Sequence, residues 1–165
     1  MKAQFIDASV HGVEFATPTH WGVTGQYGGL AYFPGESASF WVGPVYLGTG
    51  TAARKMSPLD LVGSLPAPPE MDLTGDTSDP RVVNMARLIQ SLDADGTPKP
   101  KITILPSVAG CLDMARADLG LFQIDFADDA QVDLVIQTTL AYCEGNPEAT
   151  LVEVSAAEAE GNLEA

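Results

Sequence analysis

Ser37-Ala38-Ser39-Phe40-Trp41-Val42 is followed, after Gly43-Pro44, by Val45-Tyr46-Leu47-Gly48. The first run alternates small or polar residues with larger ones, the period of two that a half-buried strand requires. Working outward, similar short runs occur at Ala3–Asp7, Gly12–Ala16, Gly22–Gly25 and Leu30–Phe33, in a region punctuated by glycine or proline every 6 to 10 residues. Gly28-Gly29 and Pro34-Gly35 are turn dipeptides, glycine supplying positive φ and proline presetting the corner. No crossover helix fits between these runs, so they are expected to pair as antiparallel hairpins.

Residues 57–78 read differently. Pro58, Pro66, Pro68 and Pro69 oppose regular structure, and Asp72 to Ser78 is polar loop chemistry. Beyond this connector the period changes to that of a helix. Asp79 is a candidate N-cap with Pro80 at the first helical position. Val82, Met85, Ala86, Ile89 and Leu92 then form a buried stripe, which Val83 and Leu88 widen until Gly96 and Pro98 end it. Ile102–Leu105 reads as a short strand. A second helix carries Val108, Cys111, Leu112, Ala115 and Leu119, and a third, capped by Asp128 or Asp129, carries Val132, Ile136, Leu140 and Cys143. Ser155 to Leu163 closes the chain with a Ser155…Glu158 capping box. The expected fold is α+β. Residues 1–56 form an antiparallel β sandwich or barrel-like sheet, and residues 79–165 a three- to four-helix region packed on it, within one structural domain.

The charge narrows the partners. Eight Lys and Arg oppose 22 Asp and Glu in 165 residues, a net charge of -14. Such a chain is a poor match for nucleic-acid phosphates or anionic lipid, and no apolar run is long enough for a membrane span. Residues 113–165 hold 12 of the acids and one base, Arg116. Both tryptophans and three of the four tyrosines lie before residue 50. Cys111 and Cys143 both sit on core-facing stripes. By themselves they read as two buried thiols in a reducing compartment, or as a disulfide across a helix pair in an oxidising one.

Several residue groups occur together and in order. The first is Phe5-Ile6-Asp7 with Val10, Gly12-Val13, Phe15 and Thr17, then Gly22-Val23-Thr24. Tyr32, Pro34-Gly35-Glu36, Phe40, Val42-Gly43 and Leu47-Gly48 follow, then Ser57-Pro58-Leu59-Asp60-Leu61-Val62 and Val83 through Leu92 with Asp93, Asp95 and Gly96. This pattern resembles an extracytoplasmic module of bacterial surface lipoproteins and large adhesin-like secreted proteins. The resemblance carries no enzymatic activity. It implies export, commonly behind a lipoprotein signal, and favours a Cys111–Cys143 disulfide. Met1-Lys2-Ala3 leads straight into Gln4-Phe5-Ile6-Asp7 without an apolar stretch, so no signal sequence is expected in the chain as given.

Three constellations bear on chemistry. Ser91, Asp93 and Asp95 precede Gly96 at the alternating spacing of a calcium loop, but Ile102 stands where a bidentate glutamate belongs. Calcium at Asp93 and Asp95, with oxygens from Asp72, Asp76 or Asp79, is weighed against a helix end capped by Gly96. His11 and His20, with Ser9 or Asp7, could compose a hydrolase. However, no nucleophile elbow or metalloprotease spacing accompanies them, so surface or edge-strand histidines are expected. Trp21, Tyr27, Tyr32, Trp41 and Tyr46 are dense for so small a β region. They form either its thin core or an exposed face that recognises a protein or glycan. The resulting expectation is a non-catalytic binding or structural module of a bacterial cell-surface protein, serving adhesion or assembly. A hydrolase of carbohydrates or esters, and a subunit of an extracellular or periplasmic homo-oligomer joined by strand addition, are the alternatives.

Overall fold

Alternation along β6 (Ser37–Val42) and β7 (Val45–Thr51) organises the front of the molecule in the computed structural model, which describes residues 2–5, 9–67, 76–97 and 101–164. Ala38, Phe40 and Val42 point inward and are buried, while Ser37, Ser39 and Trp41 face out. With β3 (Glu14–Ala16) and β4 (Trp21–Val23) these strands form an antiparallel sheet in the order β4-β3-β6-β7. Phe15 lies across from Phe40 on the inner side. The β3–β4 and β6–β7 pairs are hairpins as expected, while β3 with β6 and β1 (Lys2–Phe5) with β5 (Gly29–Ala31) are antiparallel pairs of non-consecutive strands.

The sheet does not close into a barrel. β4 and β5 are joined through a turn in which the N–H of Gly25 donates to Gly29 O at 3.0 Å, and the two strands then join different sheets. Two pairings are parallel. β1 runs alongside β8 (Lys55–Met56), and β2 (Val10–His11) alongside β9 (Ile102–Thr103). Each joins segments far apart in the chain, so no local turn signal announces it. Gly12, just after β2, has φ +98°, and a Cβ there would stand 2.1 Å from the carbonyl oxygen of Ile104. Glycine is required at this crossing.

The proline-rich connector is more regular than its composition suggests. Ser57 caps α1 (Pro58–Leu61) by accepting from the N–H of Leu59, and the Asp60 carboxylate accepts from the N–H of Ser57. A 3-10 turn follows at Val62–Ser64. Proline at the first helical position starts this helix rather than preventing it. Together the two turns cover the outer edge of β7, where the Ser64 hydroxyl accepts from the N–H of Thr49 at 2.8 Å. Asp72 lies outside the described residues.

Helix α2 (Pro80–Ser91) starts at Asp79 as expected, but it is buried all round rather than along one stripe. Its polar residues are covered because each finds a partner. Arg81 pairs with Asp79 at 2.8 Å, and Asn84 donates to Phe126 O and Asp129, each at 2.8 Å. Gln90 accepts from Asn162 at 2.7 Å. These contacts wrap α4 (Asp129–Tyr142) and α5 (Ala156–Glu164) around α2. Asp128 is the cap of α4, and at the start of α5 the Ser155 hydroxyl accepts from the N–H of Glu158 at 3.2 Å, half of the expected box. The inward stripes of α3 (Pro106–Asp118) and α4 meet at Cys111 and Cys143, which form a disulfide with Cα atoms 5.7 Å apart. One hydrophobic core runs from Phe5 and Phe40, whose ring centroids are 4.8 Å apart, to Met85, Ile89, Leu112 and Ile136 on the helices. No helix among the described residues is long and apolar enough to cross a membrane.

Candidate functional site

The outward positions of the four-stranded sheet fall in two rows. One reads Val23, Glu14, Trp41 and Tyr46 across β4, β3, β6 and β7; the next reads Trp21, Ala16, Ser39 and Thr49. An irregularity between Phe40 and Trp41 shifts the register by one residue, and this sets Trp41 opposite Tyr46. Their ring centroids are 5.8 Å apart at a tilted angle. The Tyr46 hydroxyl bonds to the Thr49 hydroxyl, which meets Ser39 Oγ at 2.7 Å, so a polar chain fixes the phenol. Three of the five candidate aromatics, Trp21, Trp41 and Tyr46, therefore share the solvent face of one sheet. Tyr27 is exposed in the turn before β5. Tyr32 is turned into the core at 3% exposure, which places it with the packing residues.

The face continues onto the helices. A cleft of about 400 Å³ is lined by Trp41, Pro44, Tyr46, Arg116, Phe122 and Gln123. Phe122, in the α3–α4 loop, is 86% exposed. Arg116 is held in place by Asp113 at 2.7 Å and by Leu121 O at 2.9 Å. An aromatic ledge thus faces a fixed, charge-balanced guanidinium and a free-standing amide. Arg116, Phe122 and Gln123 were not among the sequence candidates. The available signal was a lone phenylalanine in a polar interhelical loop.

Across the β6–β7 tip, a second cleft of about 410 Å³ shares Pro44 and helix α3 and is lined in part by His11, Glu14 and Asp113. No side-chain hydrogen bond orients the His11 ring among the described residues. His20 has a different setting. The Thr19 hydroxyl gives its one proton to Glu36 at 2.9 Å, so it accepts from Nδ1 of His20 at 2.8 Å. This is the reverse of the arrangement in which a histidine base takes a proton from a nucleophilic hydroxyl. The ring rests edge-on against Phe33, with centroids 5.2 Å apart.

The candidate calcium ligands each meet a main-chain donor. Asp93 Oδ1 accepts from the N–H of Thr103 at 3.0 Å, Asp95 Oδ1 from Thr97 at 2.8 Å, and Ser91 Oγ from Val154 at 3.0 Å. Each of the three thus has one oxygen bonded to a main-chain donor, and the second carboxylate oxygen of Asp93 is buried without a hydrogen-bond partner. Asp79 is engaged with Arg81, and Asp76 with Ser78. Among the described residues no group of three or more His, Cys, Asp or Glu side chains could hold a metal ion. Asp93 is 1% exposed, and burial pushes its carboxyl up to about 7.

Another cleft, of about 570 Å³, lies over α2. Asp129, Asp133, Glu153, Glu158 and Glu160 surround the buried Arg87 there. Arg87 reaches Asp133 at 2.5 Å and Glu153 at 3.6 Å, so part of this acidity serves to balance a buried cation. Compared with protein-family models, with curated proteins and with solved structures, the chain matches none.

Proposed function

We propose that the chain is a non-catalytic, extracytoplasmic binding module of a bacterial cell-surface protein, and that its ligand is a glycan held on the ledge of Trp41, Tyr46 and Phe122. The observation that carries this reading is the tilted, half-buried Trp41–Tyr46 pair lining a cleft with Arg116, Phe122 and Gln123. Ring faces stack on the apolar faces of sugars, while fixed polar groups nearby can bond their hydroxyls. The Cys111–Cys143 bridge supports an oxidising compartment. The near-absence of charge between Glu14 and Arg54, broken only by Glu36, suits a neutral ligand.

A hydrolase at His11 is the second reading, favoured by the carboxylates of Glu14 and Asp113 in the same cleft. Without an oriented imidazole it is the weaker one. Both tryptophans of the chain lie on the solvent face of the sheet, so their emission reports on it directly. Titration with soluble polysaccharides should shift that emission saturably, and Trp41→Ala should weaken binding at least tenfold without altering the fold. Emission unmoved by any neutral or acidic polysaccharide would remove the glycan reading. Ester or glycoside turnover abolished by His11→Ala would replace it with the hydrolase.

A further inference from the structure

The two edges of the four-stranded sheet are treated differently. The β7 edge is covered by α1 and the 3-10 turn, whereas among the described residues β4 pairs with β3 on one side only. The N–H of Thr24 donates to Val13 O at 2.8 Å and that of Thr17 to His20 O at 2.7 Å, so even-numbered residues of this strand point their main-chain groups at β3. By the alternation of an antiparallel ladder, those of Trp21 and Val23 point away from it.

The usual guards against edge pairing are a charge, a proline or a bulge, and Trp21-Gly22-Val23 has none. Instead, large apolar side chains stand exposed along this edge: Trp21 at 81%, Val23 at 55%, Tyr27 at 68% and Phe33 at 53%. No Asp, Glu, Lys or Arg occurs between Glu14 and Glu36, in a chain whose net charge is -14. Two copies repel one another on most approaches, whereas beside Val23 the structure places one charge of each sign, Glu14 opposite it and Lys2 in the adjoining cleft.

We propose that β4 is a self-association edge, at which two copies pair antiparallel about a two-fold axis to form a continuous eight-stranded sheet. The sequence of the strand is self-complementary in one register. Placing Trp21 opposite Val23 of the second copy, and Val23 opposite Trp21, matches outward-pointing residues with outward-pointing residues. Four main-chain hydrogen bonds result. Gly22 then faces its counterpart on the axis, at the closest approach of the two strands, where no side chain intervenes. Each Trp21 gains a β-branched neighbour across the junction, a favourable cross-strand pair. The same patch serves both copies, as a closed dimer requires. Only the shortness of the strand limits it, so the interface is weak, with a Kd on the order of 10–100 µM.

Sedimentation of the full chain from about 1 to 500 µM at physiological salt is the test. A monomer–dimer equilibrium is expected, with tryptophan emission moving to the blue as the dimer forms. Val23→Lys should raise Kd at least tenfold, while Thr51→Lys, at the far end of β7, should leave it unchanged. If Val23→Lys disturbs the circular dichroism, Trp21→Glu takes its place. A monomer throughout the range, or a dimer indifferent to charge on β4, would overturn the proposal. So would pairing seen only when an unrelated extended peptide is added.

Discussion

Arg87, buried in the middle of α2, donates from Nε to the carbonyl of Val154 at 3.0 Å, tying the helix to a segment 67 residues further along. Its other end meets Asp133, so one guanidinium joins α2, α4 and the irregular stretch before α5. Arg87→Met keeps the stem but leaves the buried Val154 carbonyl without this donor. The expected cost is about 2–4 kcal/mol of unfolding free energy. Arg87→Lys should recover part of it, because a lysine has donors but no fork. Urea denaturation of the three proteins measures this. A Met variant as stable as the parent would mean that the acidic flank packs without its cation.

The disulfide makes a second prediction. Cys111 and Cys143 are 32 residues apart in sequence, and closing a loop of that length stabilises by about 3–4 kcal/mol through the unfolded chain. Double substitution to Ala, or unfolding in the presence of reductant, should lower stability by roughly that amount. Mass spectrometry without reductant should show a chain two hydrogens lighter than the dithiol. A full-mass protein from an oxidising preparation would remove both the bridge and its support for an extracytoplasmic site.

These two contacts mark what was legible in the sequence and what was not. The caps at Asp79 and Asp128, the inward stripes of α3 and α4 and the alternation of β6 were readable, because each depends on neighbours within a few residues. The burial of Arg87 and Asn84 was not, since the groups that satisfy them arrive from α4 and from the segment before α5. The helix at Pro58 carried a readable signal, Ser57 with Asp60 three residues on, which the surrounding prolines masked. The aromatic face depended on register. Trp41 meets Tyr46 because of one irregularity in pairing, and the same alternation turns Tyr32 inward. Phe122 and Arg116 reach that face only through the tertiary packing of α3.

Gly12 is the backbone position with least latitude. Gly12→Ala would place Cβ 2.1 Å from Ile104 O and strain a residue at φ +98°. The strand crossing between β2 and β9 must then open, at an expected cost of about 3 kcal/mol or more. Gly63→Ala, where an added Cβ meets nothing within 4 Å, is the matched control and should change stability by under about 1 kcal/mol. Thermal unfolding of the pair distinguishes a steric requirement from a general intolerance of alanine.

Asp93 gives the pH dependence its sign. Its carboxyl, held up near 7 by burial, is protonated in the folded chain at pH values where the unfolded chain has already ionised it near 3.8. The folded state therefore binds the extra proton between about pH 4 and 7, and stability from this group falls as pH rises through that window. Asp93→Asn keeps an oxygen to accept the N–H of Thr103 and cannot ionise. Relative to this variant, the parent should lose about 1–3 kcal/mol between pH 4 and 8, with most of the change complete by pH 8. Subtracting the two stability profiles cancels the repulsion among the more distant acids and leaves Asp93 together with its hydrogen-bonded neighbour Asp95. A difference that stays flat across the window would show that Asp93 ionises at the ordinary carboxylate pH in spite of its burial.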